Sequence, residues 1–187
     1  RNIMSKKGSI TKANYIDYDK ALNKGLSLFG TKDEKIGFYI IVSINVGLRI
    51  GDILDLTKED FERGHKTFRE QKTKKAKTIV FNKTILKAFK QLSNLREGNV
   101  FVSQKRVVYS RQQVNRKLKQ LFPLKNKRIS SHSLRKTFGR RVYESNGESE
   151  KALVLLNTIY NHETLKQTRA YLDITQDEIN NVYDSIV

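Results

Sequence analysis

Along most of this chain apolar residues return every three or four positions, the spacing of a helix that buries one face. Such a pattern opens at Asn14 and runs through "YIDYDKALNKGLSLFG". The next segment starts with "TKDE", residues 31 to 34, which has the form of a capping box. Behind it "IGFYIIVSINVGL", residues 36 to 48, is apolar on nearly all sides and predicts a buried helix reaching about Val46. At thirteen residues the run is too short to span a bilayer. Gly47 and Gly51 then bracket "LRI", where the chain can bend and its backbone can come close to a ligand.

Beyond "DILDLTKEDF" the pattern becomes extended: "KTFREQ" and "KTIVFN", joined by "KTKKA", predict a basic β-hairpin. Helical spacing resumes in "TILKAFKQLSNL" (84 to 95), then a short strand is expected in "NVFVS" (99 to 103) and a helix over 110 to 122, which Pro123 ends. Four more helices are predicted near 131–146, 149–159, 163–171 and 176–186, with Gly147 as a stop and "TQDE" as a second capping box. The fold class is therefore α+β, mainly helical, with a small antiparallel β-sheet or hairpin. A length of 187 residues suits one domain. Residues 1 to 12, "RNIMSKKGSITK", are basic and aperiodic and read as a linker remnant, which leaves 13 to 187 as the domain.

Charge narrows the class of partner. Against 19 acidic side chains stand 37 basic ones, a net +18, which favours a polyanion such as nucleic acid. The excess is local: between Gly98 and Tyr143 there are thirteen cations and no acid, whereas from Glu144 onward eight acids face three cations. Self-repulsion in the first stretch weakens the fold unless a polyanion offsets it. Without cysteine there are no disulfides or thiolate metal sites, which fits a reducing cytoplasm, and three histidines leave little for metal. No cofactor, no metal and no membrane partner are expected.

Three constellations carry candidate chemistry. In "SHSLRKTFGRR" (131 to 141), His132 and Arg135 share the face of a first helical turn if Ser130 or Ser131 caps it. A phosphate at that terminus would meet backbone N–H groups, an imidazole and a guanidinium together, although an isolated HxxR is more often a capping histidine. In "VGLRIGDILDLTKEDF", Arg49 sits in the glycine-flanked bend and Asp52, three residues on, can orient its guanidinium, as a structural ion pair also would. In "YNHETLKQTRAYLDI", His162 precedes Tyr171 by nine residues. A straight helix would put those two on opposite sides, so their cooperation requires a break between them.

In this order the motifs resemble the tyrosine site-specific recombinases, or phage-type integrases, whose catalytic domain is similar to that of type IB topoisomerases. The family pattern is an arginine in a GxR bend followed by an acid, a hairpin lysine, HxxR, a second histidine or tryptophan, and a tyrosine about nine residues beyond. Arg49, Asp52, Lys72, His132, Arg135, His162 and Tyr171 fill those places over roughly residues 10 to 187. The chain departs from the usual wording with "VGLR", "YNH" and Phe138-Gly139, none of which removes a reactive group. The hairpin lysine is the least constrained position, since Lys74, Lys75 and Lys77 stand beside Lys72.

The resemblance implies DNA strand cleavage and rejoining through a 3′-phosphotyrosyl bond, without metal or ATP. Arg49 and Arg135 would clamp the phosphate, a task suited to forked guanidiniums. Tyr171 would be the nucleophile; the phenol, with an ordinary pKa of about 10, needs a base or shuttle, for which His132 is placed. Lys72 would protonate the leaving 5′ oxygen, and His162 would bind phosphate or position Tyr171. Tyr160 is the nearest rival nucleophile. Lys74, Lys75, Lys77, Arg111, Arg116, Lys136 and Arg140 are the expected DNA-contacting cations. The implied partner is double-stranded DNA, held by a homo-tetramer, with this piece monomeric without DNA, lacking the amino-terminal core-binding domain, and located in the bacterial cytoplasm at the nucleoid. A non-catalytic DNA-binding accessory factor and a relaxing topoisomerase are the alternatives.

Overall fold

The apolar run singled out above forms the central helix. The computed structural model describes residues 13–69, 76–123, 125 and 127–174. Helix α2 (Glu34–Val46) has nearly every side chain buried, because α1 (Tyr18–Leu26), α5 (Lys83–Phe89) and α7 (Ser131–Ser145) all pack against it. Short helices α3 (Ile50–Leu54) and α4 (Lys58–Arg63) lead into strands β1 (His65–Arg69) and β2 (Ala76–Val80). These pair antiparallel, with His65 opposite Val80 and Phe68 opposite Lys77. Helix α6 (Arg111–Leu121) precedes α7, and α8 (Glu150–Tyr160) and α9 (Leu165–Tyr171) follow it.

Two apolar clusters hold these elements. The larger gathers α2 with Ile53, Phe61, Phe81, Phe89, Phe101, Val114, Leu118 and Leu134, and its centre is aromatic: Phe61 lies 4.7 Å from Phe81, 5.0 Å from Phe38 and 5.1 Å from Phe89 between ring centroids. Phe61→Ala is expected to lower the unfolding free energy by about 3–5 kcal/mol, measured by denaturant titration, since those rings cannot collapse into the space left. The smaller cluster holds Tyr143, Leu153, Leu156, Tyr160, Tyr171 and Leu172. Helix α7 joins both, with Leu134 in one and Tyr143 in the other.

Four elements differ from the sequence expectation. The first helix starts at Tyr18, because the Asp17 carboxylate accepts from Lys20 N at 2.8 Å, while Asn14 instead pairs with the backbone of Arg128. "TKDE" is a turn and no capping box: Asp33 is the N-cap without a side-chain bond, and Glu34 accepts from the Ser93 hydroxyl at 2.6 Å. The helix expected over 84 to 95 ends at Phe89 and gives way to turns, with Asn94 in a left-handed conformation at φ 52°. "NVFVS" forms no strand, since its backbone bonds divide between two segments: Val100 N donates to Leu56 O and Phe101 O accepts from Tyr109 N. Residues 1 to 12, the hairpin tip with Lys72, Lys74 and Lys75, and the predicted helix 176–186 with "TQDE" lie outside the described residues. Among the described residues no helix is long and apolar enough to cross a membrane.

Candidate active site

Two glycines set the approach of the elements that carry the candidate residues. Gly47 ends α2 at φ 60°, a left-handed turn that an L side chain rarely adopts, and a Cβ there would lie 2.2 Å from the Phe138 ring. This turn delivers Arg49 as the N-cap of α3. On α7, a Cβ at Gly139 would collide with the Tyr160 hydroxyl and Leu172, so the glycine lets α8 and α9 close onto α7. Ser130 caps α7 and receives His132 N at 3.3 Å, leaving the exposed His132 and the buried Arg135 in the first turns.

The end of α8 is where the cations meet. Arg49 Nη2 and Arg135 Nη2 both donate to the Tyr160 carbonyl, at 3.5 and 3.4 Å, and Lys77 Nζ donates to the adjacent Ile159 carbonyl at 2.8 Å. The last carbonyls of a helix carry partial negative charge. Beneath them Tyr160 is a scaffold: its hydroxyl donates to Arg135 O at 2.7 Å, and the Arg135 guanidinium lies 4.6 Å above its ring. That use of the hydroxyl leaves the rival nucleophile committed to structure.

The required break between His162 and Tyr171 is present. Asn161 adopts a left-handed conformation that stops α8, and Thr164 starts α9 by accepting from Gln167 N at 3.1 Å. The His162 and Tyr171 rings consequently lie 5.3 Å apart, both beside Tyr160. Tyr171 is 7% exposed, and its hydroxyl is buried without a hydrogen-bond partner. Burial pushes that phenol up to about 12, against the opposing pull of the Arg135 guanidinium, which approaches the hydroxyl without hydrogen-bond geometry, and of the Arg49 charge. Burial together with Arg135 and Arg49 pushes His162 down to about 4, and the same three influences, with Lys136, lower His132. Both imidazoles are therefore neutral at pH 7.

A histidine whose folded pKa lies below its unfolded value makes the unfolded state bind more protons, so stability present above about pH 6.5 is lost as pH falls. His162→Gln is expected to flatten the decline in melting temperature between pH 6.5 and 5, where carboxylates titrate little.

Residues 22–178 match the model of the phage integrase family. The chain belongs to that family. A probable integrase/recombinase of Bacillus subtilis, YoeC, is 29% identical over 157 residues, covering 81% of this chain and 84% of the relative. Among solved structures, the XerA recombinase superposes with a TM-score of 0.67 at 18% identity, over 97% of this chain and 66% of the XerA chain. The XerH recombinase, in a post-cleavage complex with a difH substrate, gives 0.63 at 15% identity, over 92% of this chain and 53% of its own. The chain thus spans between half and two thirds of those recombinases. The fold is that of a tyrosine-recombinase catalytic domain, and the family is one of site-specific recombinases that cleave and rejoin DNA.

Within this phage-integrase domain the expected site residues separate. Arg49, Arg135, His162 and Tyr171 come together around the end of α8, with His132 close enough to feel both guanidiniums. Among the described residues' ion pairs there is none between Asp52 and Arg49. The three-residue spacing places two side chains together only within one helix, and Arg49 is an extended N-cap at ψ 152°; Asp52 acts through its field on Arg135. Lys136 is not a DNA-facing cation: it is 1% exposed and its ammonium bonds both Asp173 carboxylate oxygens at 2.9 Å. Arg140 is half-buried and bound to Glu144 at 3.1 Å, with its guanidinium over the Tyr15 ring. Arg111 lies against Gly51, and Arg116 is exposed on α6. Lys77, expected as a DNA contact and as one of the alternatives to Lys72 for the hairpin lysine, stands beside the end of α8. Its signal was the alternation of β2, which turns Lys77 and Ile79 inward. Among the described residues no group of His, Cys, Asp or Glu gathers that could hold a metal ion.

Proposed function

We propose that this domain cleaves and rejoins duplex DNA by attack of Tyr171 on a phosphodiester, with Arg49 and Arg135 gripping the non-bridging oxygens. The supporting observation is the convergence of both guanidiniums on one carbonyl oxygen beside the Tyr171 ring. A single carbonyl is a weak partner for two guanidiniums; the oxygens of a phosphate would take both forks and neutralise their repulsion. In the step itself the phenolic oxygen bonds to phosphorus as it gives up its proton, and the bond to the 5′ oxygen breaks as that oxygen gains one. His132 accepts the proton from the phenol, and Lys72 or another hairpin lysine, Lys77 among them, supplies one to the leaving group. Reversal by another 5′-hydroxyl rejoins the strand, so no water, nucleotide or metal enters the balance.

His162 donates to a phosphate oxygen. Asp52 steadies the positive charge of Arg135. Lys74, Lys75, Arg111 and Arg116 contact the DNA backbone. Four copies act together on DNA, in the cytoplasm, and the domain is monomeric without DNA.

A duplex nicked beside the cleavage point, which traps the covalent intermediate, tests the reading. A denaturant-stable protein–DNA adduct supports it, and none at any salt or DNA sequence from the host element sinks it. Binding should fall with salt by about 0.9 decades of affinity per decade of salt for each phosphate neutralised. Arg116→Ala is expected to reduce that slope by about one phosphate. Lys136→Met should leave it unchanged, as measured by fluorescence anisotropy over a salt series.

A further inference from the structure

One polar chain behind the site remains unused by that mechanism. Thr168, on α9, is wholly buried, yet its hydroxyl oxygen lies 3.1 Å from Asn157 Nδ2 and 3.0 Å from His162 Nδ1. A buried hydroxyl must place its own proton as well as accept one. Asn157, with its amide nitrogen turned to Thr168, can only donate to it. Among the described residues, His162 Nδ1 is then the acceptor left for the Thr168 proton. An imidazole that accepts at Nδ1 carries its single proton on Nε2.

We propose that Asn157 and Thr168 are positioning residues that hold His162 as its Nε2–H tautomer, so that the ring presents a donor, never a lone pair, to the phosphate bound by Arg49 and Arg135. The inference rests on the catalytic reading above for its purpose and on the hydrogen-bond chain for its geometry. A lone pair on Nε2 would face the phosphate oxygens with like charge; a donor there adds a further bond to the oxygens that gain charge as Tyr171 attacks. The chain also spans the break between α8 and α9, since Asn157 belongs to α8 and Thr168 to α9. Asn157 O additionally accepts from His162 N at 3.1 Å, so one residue anchors both the backbone and, through Thr168, the ring.

The tautomer is read directly in the DNA-free protein by two-bond nitrogen–proton correlation of the His162 imidazole at neutral pH. An Nε2–H pattern is expected, and an Nδ1–H pattern overturns the proposal. Asn157→Asp is nearly isosteric and exchanges the donor for an acceptor, so the Thr168 proton should turn to it and the imidazole should switch to Nδ1–H. An unchanged spectrum in that variant would refute the chain. With the nicked duplex, Thr168→Val is expected to slow adduct formation by about 10–100-fold, the range seen when partners that orient a metal-bound histidine are removed. Thr168→Ser, which keeps the hydroxyl, should recover most of that rate. Equal rates for the valine and serine variants, at matched melting temperature, would leave Thr168 a packing residue. If the wild-type protein forms no adduct, the catalytic reading fails, while the spectra still decide the tautomer.

Discussion

Tyr171→Phe protein is expected to form no covalent adduct with a nicked duplex, while binding that duplex as tightly as the wild type and melting at the same or a higher temperature. The first part follows from chemistry, because the phenolic oxygen is the atom proposed to bond phosphorus. The second follows from the fold: the hydroxyl is buried without a partner, and a buried unsatisfied polar group costs about 1–3 kcal/mol. Removing it relieves that cost without creating a cavity. Tyr160→Phe provides the contrast, since it deletes a buried 2.7 Å bond from the Tyr160 hydroxyl to Arg135 O. It should lower the melting temperature and only then disturb the rate. An adduct that persists in Tyr171→Phe and vanishes in Tyr160→Phe would exchange the two roles. A phenol with its pKa pushed up to about 12 is also a poor nucleophile as it stands. The full rate therefore depends on DNA bringing negative charge to the guanidiniums and His132 accepting the proton.

Arg135→Lys carries the second large effect: adduct formation should slow by about 10²–10³-fold, the loss found when one preorganised donor to a developing anion is removed. The charge of a lysine is formally the same, but three features of this position make the exchange severe. The guanidinium carbon lies over the Tyr160 ring, 4.6 Å from its centroid, a contact that an ammonium, with its smaller head, does not reproduce. It is 7% exposed, and burial lowers the pKa of a lysine far more consequentially than that of an arginine, which stays charged at any working pH. Its planar fork can hold two phosphate oxygens at once, whereas an ammonium is a point charge. Single-turnover kinetics at saturating DNA separates this loss from weaker binding. A rate within about threefold of wild type would mean that the fork and the ring contact contribute little to the proposed transition state.

The placement of Tyr171 in the smaller apolar cluster, with Tyr160 and Leu172, has a mechanical consequence. The cation clamp is built on the junction of both clusters, through Arg49 after α2 and Arg135 on α7, but the tyrosine belongs to only one of them. Lys136, buried on α7 and ion-paired to Asp173 just beyond α9, ties the segment carrying Tyr171 back to the helix carrying Arg135. A cation that the sequence assigns to DNA is instead a strut within the domain.

How much of this was legible beforehand differs residue by residue. The reactive types and their order along the chain were, and so were the central helix and a serine cap at 130 or 131, because each depends on neighbours within a turn or two. The His162–Tyr171 pair was legible as a condition: nine residues cannot cooperate in one straight helix, and Asn161 supplies the break. The Arg49–Asp52 pair was misread, since the rule of three residues holds inside a helix and α3 begins one residue after Arg49. Charge by itself could not tell Lys77, at the site, from Lys136, in the interior, or from Arg140, held by Glu144.

Local physics explains that division. Periodicity, capping and turn chemistry act over a few residues, so the sequence alone determined a mainly helical α+β domain, a polyanion as partner, and a set of residue types able to cleave a phosphodiester. Which oxygen two distant guanidiniums share, which cation is buried and which tyrosine hydroxyl is spent on structure depend on contacts between positions up to 111 residues apart. Those contacts exist only when α7, α8 and α9 pack, and tertiary structure alone decided them.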